Sequence, residues 1–204
     1  MAVVVEHEKR KHEILGKALD LFIEEGYEDV TFQKIADRCG ITRTTLYIYF
    51  KNKREIFVWS IKDLTERLEK QLLQIIRNKE LSTSDCLKNV MDAILDECEK
   101  HTKLFKILLV YLIQIQKTGE NAGDLIARRV IRVEHLLNMI IIRAHDNGEL
   151  QGDSIKDVVD LMYSLLESAI FTQAVEGKDN LSENRHLIHF TIDSFFPSNN
   201  QATS

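Results

Sequence analysis

The stretch GITRTTLYIYFKNK, residues 40–53, sets an arginine, a threonine and a tyrosine at i, i+1 and i+4, as Arg43, Thr44 and Tyr47. A planar guanidinium fork, a short hydroxyl and a phenol are hydrogen-bonding groups of three different reaches. The chain contains no Ser/His/Asp grouping, paired-carboxylate signature or glycine-rich phosphate loop to suggest bond-making chemistry. Recognition is the better reading, and the ligand such groups suit is DNA. A helix fits the B-DNA major groove, and short polar side chains on it reach base edges without holding the backbone away. The two prongs of Arg43 match the O6 and N7 acceptors of guanine, a contact worth roughly 1–3 kcal/mol of discrimination. Tyr47 and Tyr49 can donate hydroxyls to phosphate oxygens, and Lys53 adds charge at the start of the next helix.

The elements that must position these groups are legible around them. Thr31 caps a short helix, TFQKIADRC, and Thr42 caps a second, RTTLYIYF. Gly40 between them marks a sharp turn that calls for positive φ. Ile35, Ala36, Ile41 and Leu46 are spaced to share one small core with the preceding helix, which makes a helix-turn-helix. With Leu46 and Phe50 inward, Arg43, Thr44 and Tyr47 face outward, while Thr42, Thr45, Ile48 and Tyr49 lie on the flanks. Asn52 with Glu55 has the spacing of a capping box opening a long helix. Between Thr31 and Arg54 six basic residues face one acid, a net of +5 in a chain whose formal charge is -5. Local charge sets what a surface attracts within a Debye length of roughly 8 Å.

The run TFQKIADRCGITRTTLYIYFKNKREIF resembles the DNA-binding segment of the TetR family of transcriptional regulators. Thr31, Ile35, Ala36, Gly40, Ile41, Thr42, Thr45, Leu46, Tyr47, Tyr49, Phe50, Asn52 and Lys53 fill its signature. The resemblance implies a homodimer with a helix-turn-helix at each N-terminus, a helical C-terminal domain that binds a small molecule, and pairing through the last two helices. It places Gln33, Arg43, Thr44 and Tyr47 where family members contact bases, and Thr31, Thr42, Tyr49 and Lys53 where they contact phosphate. Lys34 and Thr45 belong to the same expected surface. Ile48 departs from the polar or aromatic side chain often found at its position, so it either meets a thymine methyl or faces solvent.

The remainder reads as an all-α protein of about nine helices: an N-terminal three-helix bundle and a larger C-terminal domain. Glycines fall mostly where helical patterning stops, and only Gly16 sits inside a pattern. The expected helices span 6–25, 31–38, 42–50, 52–78, 82–99, 104–116, 124–147, 153–176 and 182–195. The domains are a DNA-binding unit at 1–51, an effector-binding and dimerisation unit at 52–197, and a disordered tail at 198–204. Residues 104–116 are apolar nearly all round and are expected to be buried. Trp59, Phe105, Leu108, Tyr111, Tyr163 and Phe171 are the candidates for an effector pocket. Ile155, Val158, Val159, Met162, Leu165, Leu166, Ala169 and Ile170, with Leu187, Ile188, Phe190, Ile192, Phe195 and Phe196, form stripes suited to a four-helix dimer interface.

Three widely spaced cysteines, Cys39, Cys86 and Cys98, offer neither a disulfide framework nor a CxxC metal pattern and fit a reducing cytoplasm. No cofactor, metal or membrane anchor is expected. His101 near Cys98 and His186 near His189 have i, i+3 spacing but lack further ligands nearby. HEKRKH at 7–12 has one residue too many for a zinc-protease motif. The expectation is a ligand-responsive regulator, most simply a repressor, on a palindromic operator. The alternatives are a helical DNA-binding protein without an effector and a helical enzyme.

Overall fold

The computed structural model describes residues 2–117, 123–150, 154–177 and 180–196, with side chains at 5–113, 132–150, 154–177 and 180–196. The described residues form α1 (Ala2–Glu25), α2 (Phe32–Cys39), α3 (Arg43–Tyr49), α4 (Lys53–Arg77), α5 (Thr83–Lys100), α6 (Thr102–Lys117), α7 (Gly123–Asp146), α8 (Ile155–Glu176) and α9 (Ser182–Phe195). No strand occurs among them. The all-α expectation holds, and most helix ends fall within two residues of those expected. α1 departs most, starting at Ala2 rather than Glu6. Its valines are tolerated because β-branched residues cost a helix only a few tenths of a kcal/mol each. Gly119, Gly152, Asp153, Pro197 and the expected tail at 198–204 lie outside the described residues.

A head is built on α1, α2, α3 and the first half of α4. Its core joins Ile14, Ala18 and Phe22 of α1 with Ile35, Ala36, Leu46, Phe50, Ile56 and Phe57, all at most 2% exposed. Helix α6 enters this core from the other part of the chain through Leu104 and Tyr111. Tyr111 packs edge-on against both Tyr27 and Phe57, with ring centres 4.7 Å apart in each case. Phe57 in turn meets Phe22 at 5.0 Å. Such edge-to-face pairs add about 0.5–1.5 kcal/mol beyond area burial. Ser60 on α4, itself buried, donates its hydroxyl to the Leu15 carbonyl at 3.0 Å, which pins α4 to α1 in the same layer.

The body centres on α5. Leu87, Val90, Met91 and Leu95 are fully buried among Leu72 of α4, Leu137, Ile140 and Ile141 of α7, Val158, Met162 and Leu166 of α8, and Ile188 and Ile192 of α9. Two expectations are corrected here. α6 is not wrapped on all sides, because Leu109, Val110 and Ile113 are 38–48% exposed while Leu104 and Tyr111 are buried. The stripe expected to pair α8 with a second copy is largely used within the protomer, with Val158, Val159, Met162, Leu166 and Ala169 buried in the body. Among the side chains α8 leaves exposed, Leu161, Ser164, Ser168, Phe171 and Val175 recur at three- and four-residue intervals, beside the charged Lys156, Asp157, Asp160, Glu167 and Glu176. α8 is apolar enough by length and composition to cross a membrane. Packing accounts for much of that composition, since one side fills the core, while Leu161, Phe171 and Val175 stay exposed on the other.

α9 fully buries only Ile188 and Ile192, Phe195 and Phe196 pack partly against the body, and a polar set on α5 adds to its attachment. Arg185 pairs with Asp92 at 2.8 Å, Asp96 at 2.7 Å and Glu99 at 3.3 Å. His189 meets Asp92 at 2.9 Å, and Lys88 pairs with Asp193. Leu187 and Phe190 are left outward, 49% and 67% exposed.

Candidate nucleic-acid interface

Thr31 opens α2 with its hydroxyl accepting from the Lys34 amide at 3.2 Å, and the helix closes on Gly40. Gly40 has φ 66 and ψ 35, in the left-handed region where an L side chain is strained. The Gly40 amide donates to the Asp37 carbonyl at 3.0 Å and the Ile41 amide to Ala36 at 3.0 Å, which satisfies the carbonyls at the end of α2. The chain turns at once into Thr42, whose hydroxyl accepts from the Thr45 amide at 3.1 Å and opens α3. Asn52 caps α4 by accepting from the Glu55 amide at 2.8 Å. Glu55 reaches back one residue further than a capping box requires, accepting from the Lys51 amide at 2.6 Å.

α3 rests on the head through Leu46, which is completely buried. At about 100° per residue, Thr44 and Ile48 fall within about 20° of the direction opposite Leu46. Ile48 therefore belongs to the outward face rather than the flank, and it is 69% exposed. Arg43 and Tyr47 stand to one side of that face. The Arg43 guanidinium donates to the Tyr47 hydroxyl at 3.1 Å and lies 5.7 Å from its ring centre. Tyr47 leans on Phe32 of α2 with ring centres 4.5 Å apart, so part of its ring packs while half of its surface stays open. Thr42 and Thr45 share a hydroxyl contact at 2.8 Å. Tyr49, on the other side, stacks on His7 of α1 at 4.6 Å.

The basic count of this segment overstates its free charge. Lys34 pairs with Glu25 at 2.6 Å and donates to the Asp29 carbonyl, and Arg38 pairs with Glu24 at 2.5 Å and 3.1 Å. Arg38 holds the Glu24 carboxyl below the usual carboxylate range, chiefly through those hydrogen bonds. Gln33 donates to Asp37 at 2.7 Å. The Lys53 ammonium donates to the Tyr27 and Glu28 carbonyls at 2.8 Å and 3.2 Å and sits over the Tyr27 ring. The acids of α1 and the loop after it are remote in sequence from the motif, so a local count misses them.

The six pocket candidates are divided between two cores. Trp59, Leu108 and Tyr111 pack with the head cluster, Phe105 and Tyr163 with the body cluster, and Phe171 is 64% exposed. Trp59 is clasped by the Lys11 and Lys62 ammonium groups, 4.3 Å and 4.2 Å from its ring. It lines a shallow cleft of about 40 Å³ with His12 and Asp63, too small for more than a water or two. Sequence reasoning missed Gln173, which is 1% exposed between α8 and α6. Its amide nitrogen donates to the Thr102 hydroxyl at 3.2 Å, and its amide oxygen has no hydrogen-bond partner among the described residues. A glutamine in an apolar helix carries no sequence signal of its own that could have singled it out. Among the described residues no group of three or more His, Cys, Asp or Glu is placed to hold a metal ion. His101 is engaged by Glu97 at 3.2 Å and His189 by Asp92.

A capped two-helix unit joined by a left-handed glycine, with an outward face of donors on its second helix, defines a helix-turn-helix DNA-binding regulator. The family profile described as "Bacterial regulatory proteins, tetR family" matches residues 14–58, spanning α1 to the start of α4. That segment of the chain is similar to the DNA-binding part of the TetR family of transcriptional regulators. It is 24% identical over 159 residues to the biofilm operon icaADBC HTH-type negative transcriptional regulator IcaR of Staphylococcus aureus strain Newman, covering 78% of this chain and 81% of that one. The IcaR of Staphylococcus epidermidis is 23% identical over 173 residues, covering 85% and 89%. Among solved structures, a TetR transcription regulator from Haloarcula marismortui superposes with a TM-score of 0.77 at 17% identity, covering 93% of this chain and 97% of that one. The FadR regulator of Bacillus subtilis in complex with stearoyl-CoA gives 0.71 at 17% identity, with coverage of 91% and 97%.

Proposed function

We propose that this regulator is a repressor that binds a palindromic operator as a homodimer and leaves it when a small molecule binds the body. The observation that carries the reading is the exposed face of α3, where Arg43, Thr44 and Tyr47 stand on a turn fixed by Gly40. In this reading α3 enters the major groove, Arg43, Thr44, Tyr47 and Gln33 reach bases, and Thr31, Thr42 and Tyr49 lie along the phosphates. Lys34 and Lys53 sit at the edge and exchange a protein partner for phosphate if they take part. Thr45 supports Thr42 through their shared hydroxyl contact. Repression is supported by the negative regulators to which the chain is similar.

Pairing through α8 and α9 is supported by their exposed apolar stripes, with Leu161, Phe171 and Val175 on one helix and Leu187 and Phe190 on the other. A two-fold axis would bring these four helices together and set the two α3 helices near one DNA turn apart, roughly 34 Å. Residues 1–51 act as the DNA-binding unit and 52–197 as the effector and dimerisation unit, working in the cytoplasm. In this reading the effector site lies between α6 and α8, near Phe105, Tyr163 and Gln173. A ligand-bearing neighbour of the same fold, FadR with stearoyl-CoA, supports an effector. α6 carries Tyr111 into the head core, so a ligand that shifts α6 would move the head and change the α3 spacing.

The test is selection of a duplex from a randomised pool, followed by titration over a range of salt. The expected result is an enriched inverted repeat bound far more tightly than random duplex, with log affinity falling steeply and linearly in log salt. Equal affinity for selected and random duplex would overturn the reading.

A further inference from the structure

Ile48 is an anomaly on the face it shares. Of the large apolar side chains exposed between residues 6 and 57, only Tyr47 and Ile48 stand out from the surface, and both are on α3. Tyr47 has a hydroxyl and a partner in Arg43. Ile48 has neither charge nor hydrogen-bonding group, yet at 69% exposed it is more open than any other large apolar side chain exposed among the described residues. Thr44, one turn before it, lies on the same line, so the centre of the outward face is a threonine methyl and hydroxyl beside an isoleucine. Ile48 has no donor and cannot serve phosphate, which needs one.

The major-groove edge of B-DNA offers one apolar feature, the C5-methyl group of thymine. We propose that Ile48 packs on a thymine C5-methyl in each half-site and, with Thr44 beside it, selects thymine over cytosine at that position. This rests on α3 being the helix that enters the groove. The chemistry is apolar contact alone: the methyl and the isoleucine lose water together, and cytosine, lacking the methyl, leaves Ile48 against a void. One buried methyl contributes about a fourfold change in affinity, so substitution in both half-sites gives about fifteenfold.

The experiment uses the full chain and the duplex enriched from the randomised pool. Each thymine in the repeat is replaced in turn, symmetrically, by deoxyuridine, which removes only the methyl. The expected result is one symmetric position where wild-type affinity drops about fifteenfold. Ile48→Ala should weaken binding to the thymine duplex by a similar factor and be indifferent to deoxyuridine there, with an unchanged melting temperature because the side chain is exposed. If deoxyuridine is neutral at every position, or costs Ile48→Ala as much as wild type, the assignment of Ile48 is overturned. Arg43→Ala separates the two claims. Weakened binding by that variant with neutral deoxyuridine removes only the role of Ile48, whereas undiminished binding removes the groove assignment of α3 and this inference with it.

Discussion

The head and the body of this chain cover similar cores with different surfaces. On the head, outside its first five residues, large apolar exposure is confined to Tyr47 and Ile48, and most charged side chains around α2 are engaged by acids or carbonyls from elsewhere in the head. On the body, Leu109, Val110, Phe171, Val175, Leu187 and Phe190 all stand well out of the surface. A patch of that kind on a folded domain marks an interaction with something equally apolar. Donors in a fixed geometry suit a hydrated, charged partner, so the two ends of one chain are prepared for different company.

The largest break in this contrast is expected from Phe190→Asp. Burying a phenylalanine contributes about 1.5–3 kcal/mol, and a two-fold interface counts it twice, so dimer dissociation should rise at least about a hundredfold. Sedimentation at micromolar concentration checks it, and a persistent dimer would remove α9 from the interface. Arg43→Ala is expected to act on the other end alone. Loss of the guanine fork should weaken operator binding about five- to hundredfold per half-site, while sedimentation stays that of the dimer.

The interiors are expected to respond alike, which limits the contrast to the surfaces. Burial pushes Tyr27 in the head and Tyr163 and Cys98 in the body up to about 12, and it raises Cys39 and Cys86 as well. Each group is then neutral in the folded state over a range where the unfolded chain already releases its proton. The stability is fully present below the unfolded value and is lost as pH rises through the folded one. The melting temperature should fall from about pH 9 upward, with head and body unfolding in the same range. A rising melting temperature there would contradict the burial of these groups. The smallest effect is expected from Gly16→Ala. A Cβ at this position in α1 would meet nothing within 4 Å, so the change should gain about 1 kcal/mol of helix propensity and raise the melting temperature by about 2–4 °C. Operator affinity should not change.

The head was legible from sequence because its determinants are local. Thr31, Gly40, Thr42 and Asn52 each act on backbone groups within four residues of themselves, so their type and spacing announce the turn and both helix starts. The outward position of Ile48 could be worked out from the buried Leu46 by counting around the helix. The pairing of Lys34 and Arg38 with acids of α1 could not, because it depends on how the helices cross. The body shows the same division. Its helix lengths follow from apolar period and glycine punctuation, but which side of α8 faces inward depends on neighbours up to a hundred residues away. Periodicity finds a stripe without saying which core will use it, and α8 carries one on each side.

The polar set around Arg185 has a consequence for which side chains a second copy would meet. A helix attached by apolar contacts alone could roll about its own axis at less cost, since apolar contact has no preferred direction. Arg185 is fixed to three carboxylates along α5, and His189, one turn on, shares one of them. Rolling α9 by one residue, about 100°, would break these pairs together. The ion pairs therefore act as a key in a slot: they set the rotation of α9, and by setting it they decide that Leu187 and Phe190 are the side chains turned outward.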